Sequence, residues 1–325
     1  MLKLCLTIII WLQIRDSFQQ DQFKCGLPKI KRAELIVHGF DTSPGEWPWH
    51  VAIYHTSRRE TKYVCGGTLI SEQFVLTAAH CVVSGENGYQ LAPGRIFVRM
   101  GVYDLDALNT KMLQQHGIEK IHKYANFSNG SLKDDIALLE LNTLAQFNEF
   151  VQPACVNQVR DIKGEYATAI GWGLTEDDEV SAVLRKVQMP TIDDITCLKS
   201  NRDLFGKTLD EGILCAGYTN GTGVCNGDSG GGLFIKRDNV WYLGGIVSYS
   251  ESRSSNTKLC RTDGYGAFTK VQHYLSWIIQ ITKLHFLLGQ GIAPSEDDRK
   301  LLLFVVLHQQ SFLFGNISLS LQCQF

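Results

Sequence analysis

Between Glu34 and about Lys283 the chain is written in short β-type runs separated by clusters of Gly, Asn, Asp and Ser, and this spacing leaves few folds open. Trp49-His50-Val51-Ala52-Ile53-Tyr54, Arg95-Ile96-Phe97-Val98-Arg99 and Leu243-Gly244-Gly245-Ile246-Val247 are representative. Short strands with turn signals at regular intervals read as an all-β sandwich or a pair of barrels. One late segment departs from this pattern. In Val271-Gln272-His273-Tyr274-Leu275-Ser276-Trp277-Ile278 the residues Val271, Tyr274, Leu275 and Ile278 share a helical face, so one helix is expected to close the domain.

A chain of 325 residues, 44% hydrophobic and 20% charged, has ordinary globular composition and length for a large core or two small ones. Its formal charge of -2 supplies no strong field for nucleic acid or an anionic membrane, and neither is expected as a partner. Residues 1–17 carry Lys3, an apolar run from Leu4 to Leu12 and then polar Gln13, Arg15 and Asp16, the pattern of a signal peptide. The run is too short for a membrane span, which needs about 20 apolar residues. A polar leader occupies residues 18–35. At the far end, residues 285–325 form an extension with no assigned role, whose apolar run Leu301–Leu307 is likewise too short to span. Loss of Cys5 with the signal leaves nine cysteines, of which eight precede residue 261 and Cys323 is the odd one. An even set in a secreted chain favours disulfides, and the lack of CxxC pairs argues against a zinc or redox centre, so no metal or cofactor is expected.

Hydrolysis of an amide by a side-chain nucleophile needs a hydroxyl beside a base, a group that orients the base, and donors for the developing oxyanion. Three segments supply candidates. Thr77-Ala78-Ala79-His80-Cys81 ends an apolar strand, Asp134-Asp135-Ile136-Ala137-Leu138-Leu139 begins another, and Gly227-Asp228-Ser229-Gly230-Gly231 sets a serine in a tight turn. A histidine beside a cysteine, or an Asp before a strand, is by itself usually structural. Taken together and in this order, the segments resemble the signatures of the chymotrypsin (trypsin-like) serine protease family over roughly residues 36 to 280. Cys65-Gly66-Gly67-Thr68-Leu69-Ile70, Ala169-Ile170-Gly171-Trp172-Gly173 and Gly264-Tyr265-Gly266-Ala267-Phe268-Thr269-Lys270-Val271 match as well. The serine turn also fits the G-x-S-x-G elbow of α/β-hydrolases, but that fold runs Ser, acid, His.

The resemblance implies two six-stranded antiparallel β-barrels with a C-terminal helix, within a peptidase domain over residues 36–284. It implies that Ser229 is the nucleophile, His80 the general base and then acid, and Asp135 the group that holds the imidazole, with the N–H groups of Gly227 and Ser229 as the oxyanion hole. Asp134 is read as a solvated neighbour. Leu35-Ile36-Val37-His38-Gly39 resembles the family's activation junction, so cleavage after Leu35 would free the Ile36 amine to pair with Asp228. Family members commonly carry Arg or Lys where Leu35 stands, so the expected activator accepts leucine or is the enzyme itself. Family spacing implies the disulfides Cys65–Cys81, Cys197–Cys215 and Cys225–Cys260, with Cys25–Cys155 tethering the leader.

Gly223 and Val224 stand where trypsin-like members place a pocket-floor carboxylate, with Ser248, Tyr249, Ser250 and Gly266 as the pocket walls. A substrate cation would be unpaired there, so apolar or aromatic side chains are expected. The stretch Cys81 to Met100 carries an insertion near the site, and Asn126, Asn129, Asn220 and Asn316 lie in N-x-S/T acceptors. The leader cysteine and Gly45-Glu46-Trp47-Pro48-Trp49-His50 resemble insect modular or cascade-type serine proteases. The resulting expectation is a secreted zymogen whose partners are protein or peptide substrates, an activating protease or itself, and protein inhibitors. The rival is a catalytically silent, protease-like regulatory or binding protein, to which Gly223 and the Gly232 that replaces a family proline both point.

Overall fold

Period-two burial is clearest in the run Ile96–Met100, where Ile96, Val98 and Met100 are buried while Phe97 and Arg99 are only half-buried. One face of such a strand needs an apolar partner layer, and here each layer curls round to supply its own. The structure is a computed structural model that describes residues 25–30, 40–57, 60–85, 87–107, 111–128, 130–156, 162–175, 177–253 and 259–283. In chain order the strands are β1 (Phe40–Asp41), β2 (His50–Thr56), β3 (Thr61–Leu69), β4 (Phe74–Thr77), β5 (Ile96–Met100), β6 (Gln114–Lys123) and β7 (Ala137–Leu141), then β8 (Tyr166–Gly171), β9 (Arg185–Ile192), β10 (Ile213–Ala216), β11 (Gly232–Arg237), β12 (Val240–Tyr249) and β13 (Gly266–Lys270).

Strands β2-β3-β4-β7-β6-β5 close into an antiparallel barrel. A second barrel runs β8-β9-β10-β13-β12-β11 and closes through β11 against β8, while the two-residue β1 adds to the outside of β9. The expected all-β pair of six-stranded barrels is therefore present, and closure removes the exposed edges that open sheets would carry. Trp49, Ile53, Leu69, Leu76, Met100 and Leu138 fill the first half of the core, and Met189, Leu214, Phe234 and Phe268 the second. Ala167 and Ile235 share one buried cluster in the second barrel.

The closing helix is present with a correction to its start. Val271–Tyr274 is a 3-10 turn, and the α-helix proper covers Leu275–Thr282, burying Leu275, Ile278, Ile279 and Thr282 at helical spacing. A left-handed Lys283 (φ 58) follows its last turn. Two further helices, not read in the sequence, accompany it. The seven-residue α1 (Asp194–Ser200) and α2 (Arg202–Thr208) precede β10, which makes the closing helix α3. Asp193 and Asn201 cap them by accepting from the amides of Thr196 (2.9 Å) and Leu204 (3.0 Å). Helices of seven residues are too short for periodicity to reveal.

Disulfides join Cys25–Cys155, Cys65–Cys81, Cys197–Cys215 and Cys225–Cys260. Leader residue Gly26 also docks through its backbone, donating to Pro153 O (2.8 Å) and accepting from Trp241 N (2.9 Å). The expected signal peptide and activation junction at Leu35–Ile36, together with Asn129, Asn316, Cys323 and residues 285–325, lie outside the described residues. Among the described residues no helix is long and apolar enough to cross a membrane.

Candidate active site

His80 stands in the 3-10 turn Ala79–Val82 that follows β4. All four residues of β4 are buried, and Thr77 Oγ1 donates to Gly66 O (2.8 Å), so the turn leaves the first barrel from a fixed point. The Cys65–Cys81 bridge pins it again to β3. Asp135 enters from the other side, just before β7, with no exposed surface at all. A bare carboxylate at that depth would be strongly unfavourable, so its partners decide whether it is ionised. It accepts from His80 N (2.8 Å), from His80 Nδ1 (2.7 Å) and from Ser248 Oγ (2.5 Å). Thr269 Oγ1 donates to the main-chain O of the same residue (2.8 Å).

Burial opposes the charge on both groups, but the mutual attraction and hydrogen bonds outweigh it. Asp135 is held below its ordinary carboxyl value by His80 and Ser248, and His80 is lifted above its ordinary imidazole value by Asp135. The bond to Asp135 fixes the proton on Nδ1 and leaves Nε2 as the free base. Ser248 and Thr269 belong to the second barrel, so Asp135 sits where the two barrels meet.

Ser229 comes from the loop ahead of β11. Its carbonyl accepts from Gly66 N (2.8 Å) in β3, and Gly230 N donates to Val247 O (2.8 Å) in β12, so the loop is tied to both barrels. Gly230 has φ +76, and a Cβ there would lie 2.2 Å from Thr77 Oγ1 and 2.5 Å from Gly66 O. Only glycine lets the serine turn approach the histidine strand this closely. His80, Gly227 and Ser229 line one open cleft of about 940 Å³. No hydrogen bond joins the Ser229 hydroxyl to His80; Nε2 lies 3.7 Å from Cys81 Sγ. Unliganded sites are commonly loose in this respect. Among the described residues the N–H groups of Gly227 and Ser229 have no acceptor, whereas the Gly227 carbonyl accepts from Tyr63 OH (2.6 Å). A hydroxyl, a base with a free nitrogen, an ionised orienting group and two open N–H donors are what acyl transfer requires.

Asp228 points away from the cleft into a separate cavity of about 340 Å³, lined also by Gly171, Gly173, Gly223, Val224, Cys225 and Arg185. Its oxygens accept from Gly173 N (2.8 Å) and Cys225 N (2.9 Å). Burial nevertheless pushes the carboxyl up to about 6. A Cβ on Gly173 would sit 2.2 Å from Asp228 Oδ2, so the missing side chain makes the space that the carboxylate occupies.

Of the residues expected to form a substrate pocket, Ser248 and Tyr249 lie on β12 and Gly266 on β13, while Gly223 and Val224 line the Asp228 cavity. Tyr249 pairs with Ala267, and a Cβ on Gly266 would touch Val224 Cγ2 at 3.2 Å. Val224 is buried in the second core, and a Cβ on Gly223 would come no closer than 3.7 Å to Thr262 O. Ser248 differs from its neighbours: its hydroxyl is turned to Asp135 and is buried. Asp134 corrects another expectation. It is half-buried, has φ 55, and accepts from Tyr274 OH (2.9 Å), which anchors the entry to α3. Cys65, His80 and Cys81 group their side-chain atoms within 4.8 Å, but both sulfurs are spent in a disulfide. Sequence reasoning missed Ser248 as a partner of Asp135, along with Thr269 and Tyr63, because each acts from more than 110 positions away in the chain.

The family model for Trypsin matches residues 36–278. Phenoloxidase-activating factor 3 of Holotrichia diomphalia is 34% identical over 285 residues, covering 82% of this chain and 76% of that one. Clotting factor C of Tachypleus tridentatus is 32% identical over 270 residues, and Limulus clotting factor C of Carcinoscorpius rotundicauda is equally so, each match covering 79% of this chain. The chain spans 26% of those two much longer relatives. With the matched segment enclosing both barrels, His80, Asp135 and Ser229, the chain belongs to the Trypsin family, the chymotrypsin-like serine proteases.

Proposed function

We propose that this protein is a secreted serine endopeptidase, made as an inactive precursor, that cleaves proteins after apolar or aromatic residues. In this reading His80 Nε2 takes the proton of Ser229 as its oxygen attacks the scissile carbonyl, and returns it to the leaving amine. Asp135 stabilises the transient imidazolium, and the N–H groups of Gly227 and Ser229 hold the oxyanion. The observation that carries the reading is the Asp135–His80 hydrogen bond at 2.7 Å, made by a fully buried carboxylate to a histidine that lines one cleft with Ser229.

Activation follows from Asp228. A carboxylate that burial has lifted to about 6 is a ready partner for a cation, and the Ile36 amine released by cleavage after Leu35 would supply one. The Cys25–Cys155 bridge would then keep the leader attached, and protein inhibitors would bind the same cleft. Secretion fits the signal-like N-terminus, the acceptor at Asn220 and four disulfides. An extracellular proteolytic cascade is the setting this reading favours, supported by similarity to proteins named a clotting factor and a phenoloxidase-activating factor. The test is turnover of peptide substrates by protein cleaved after Leu35, with Ser229→Ala as control. Ser229-dependent cleavage after Leu, Phe or Tyr is expected. No turnover from a sample with a verified Ile36 terminus would instead make the protein a silent regulatory homologue.

A further inference from the structure

The cleft beside Ser229 is much larger than a triad requires, and its far wall is the insertion. Ser84 N donates to Tyr89 O (2.8 Å), Leu91 N donates to Val82 O (2.9 Å), and Val83 bridges Gln90, so backbone hydrogen bonds join residues 82–84 to residues 89–91. Lys62 and Tyr63 of β3 and Val180 line the same cleft. Tyr89 is 75% exposed and Val180 50% exposed, so the lining presents apolar surface to solvent.

Among the described lining residues the groove's charge is one-sided. Lys62 and Arg95 line it and both are exposed, while no Asp or Glu is among its described lining residues. Arg95 is held in place, because its Nε donates to Thr56 O. Neither cation has a carboxylate partner among the described residues. His55 is the other histidine lining the cleft beside His80. Burial, with the nearby Arg95 charge, lowers its basicity against the opposing hydrogen bond between its Nε2 and Cys81 O (2.8 Å). None of Ser248, Ser250, Gly266 or Gly223 lines the groove. The groove is therefore lined by other residues than those that would hold the acyl half of a substrate.

We infer that this groove receives the leaving-group half of a polypeptide substrate and selects acidic side chains in the first residues after the scissile bond, through Lys62 and Arg95. The inference rests on the peptidase reading for its direction along the substrate, and it deepens that reading by adding a second specificity element.

The test is binding of fluorescein-labelled peptides that share one acyl half and carry Asp-Asp or Lys-Lys after the scissile bond. Full-length Ser229→Ala protein is used before and after cleavage following Leu35, beside the same protein with Lys62→Glu and Arg95→Glu. Tighter binding of the acidic peptide by at least about fivefold is expected, the ratio that one well-formed exposed ion pair sustains. The charge-reversed protein should lose or invert that ratio, and raising the salt should shrink it. Ratios within about twofold in both forms, or a preference that survives charge reversal, would overturn the inference. Turnover by the Ser229 enzyme separates the two readings. An active enzyme without the preference refutes the groove alone, and an inactive protein that keeps the preference refutes the peptidase alone.

Discussion

Replacing Ser248 with alanine should cost markedly more stability than removing a hydroxyl of similar burial elsewhere. Ser248 Oγ donates at 2.5 Å to a carboxylate with no solvent exposure, and the His80 amide and ring are its other side-chain donors. A hydrogen bond to a charged group contributes about 1.5–3 kcal/mol, against about 1 kcal/mol for a neutral one. Ser181 supplies the comparison: it is equally buried, and its hydroxyl donates to the neutral Val183 carbonyl at 2.7 Å. Both substitutions leave a cavity of the same size, so the difference isolates the charge. Ser248→Ala should therefore exceed Ser181→Ala by about 1–2 kcal/mol in urea unfolding, or roughly 2–8 °C in Tm for a domain of this size. The pH dependence has a fixed sign. Asp135 is held below its ordinary value of 3.8, so its stabilising contribution is complete above that pH and is lost as pH falls through the depressed value. The excess should accordingly be constant from pH 8 down to about 5 and shrink only under more acid conditions. Equal losses for the two variants at pH 8 would show that Ser248 is not bonded to an ionised Asp135.

Three further outcomes follow from the same geometry. Gly223→Asp has clearance of 3.7 Å to Thr262 O and should raise the Arg-to-Leu ratio of kcat/KM at least about tenfold; an unchanged ratio would remove Gly223 from the pocket floor. His80 is lifted above 6.5 by Asp135, so kcat/KM should fall on acidification with an apparent pKa above 6.5, and Asp135→Asn should move that limb down; a wild-type limb at or below 6.5 contradicts the pairing. Gly173→Ala places a Cβ 2.2 Å from Asp228 Oδ2 and should destabilise by about 1–3 kcal/mol, whereas Gly94→Ala, with nothing within 4 Å, should change stability by less than about 0.5 kcal/mol; similar denaturation midpoints for both would refute the crowding at Asp228.

The sequence by itself determined the fold class and the candidate chemistry, because both are written locally. Strand content appears as short runs bounded by turn residues, and runs such as Ile96–Met100 keep their period in the structure. His80, Asp135 and Ser229 sit in segments whose neighbours, Cys81, Ile136-Ala137-Leu138 and Gly227–Gly231, identify them without coordinates. Tertiary structure decided what surrounds those residues. Ser248 lies 113 positions from the carboxylate it supports and Thr269 lies 134, and no local pattern records that β12 and β13 of one barrel close over an acid carried by the other. Asp134 could be set apart from Asp135 by register but not given its anchor, Tyr274, which is 140 positions away. The inserted loop was visible as extra length, yet its wall of the groove and the joining of Lys62 to Arg95 exist only after the first barrel has folded. A charge, a cap or a turn acts over a few residues and can be read in order. The environment of a buried group is built from whatever the closed barrels bring within a few ångströms of it, and order along the chain does not encode that.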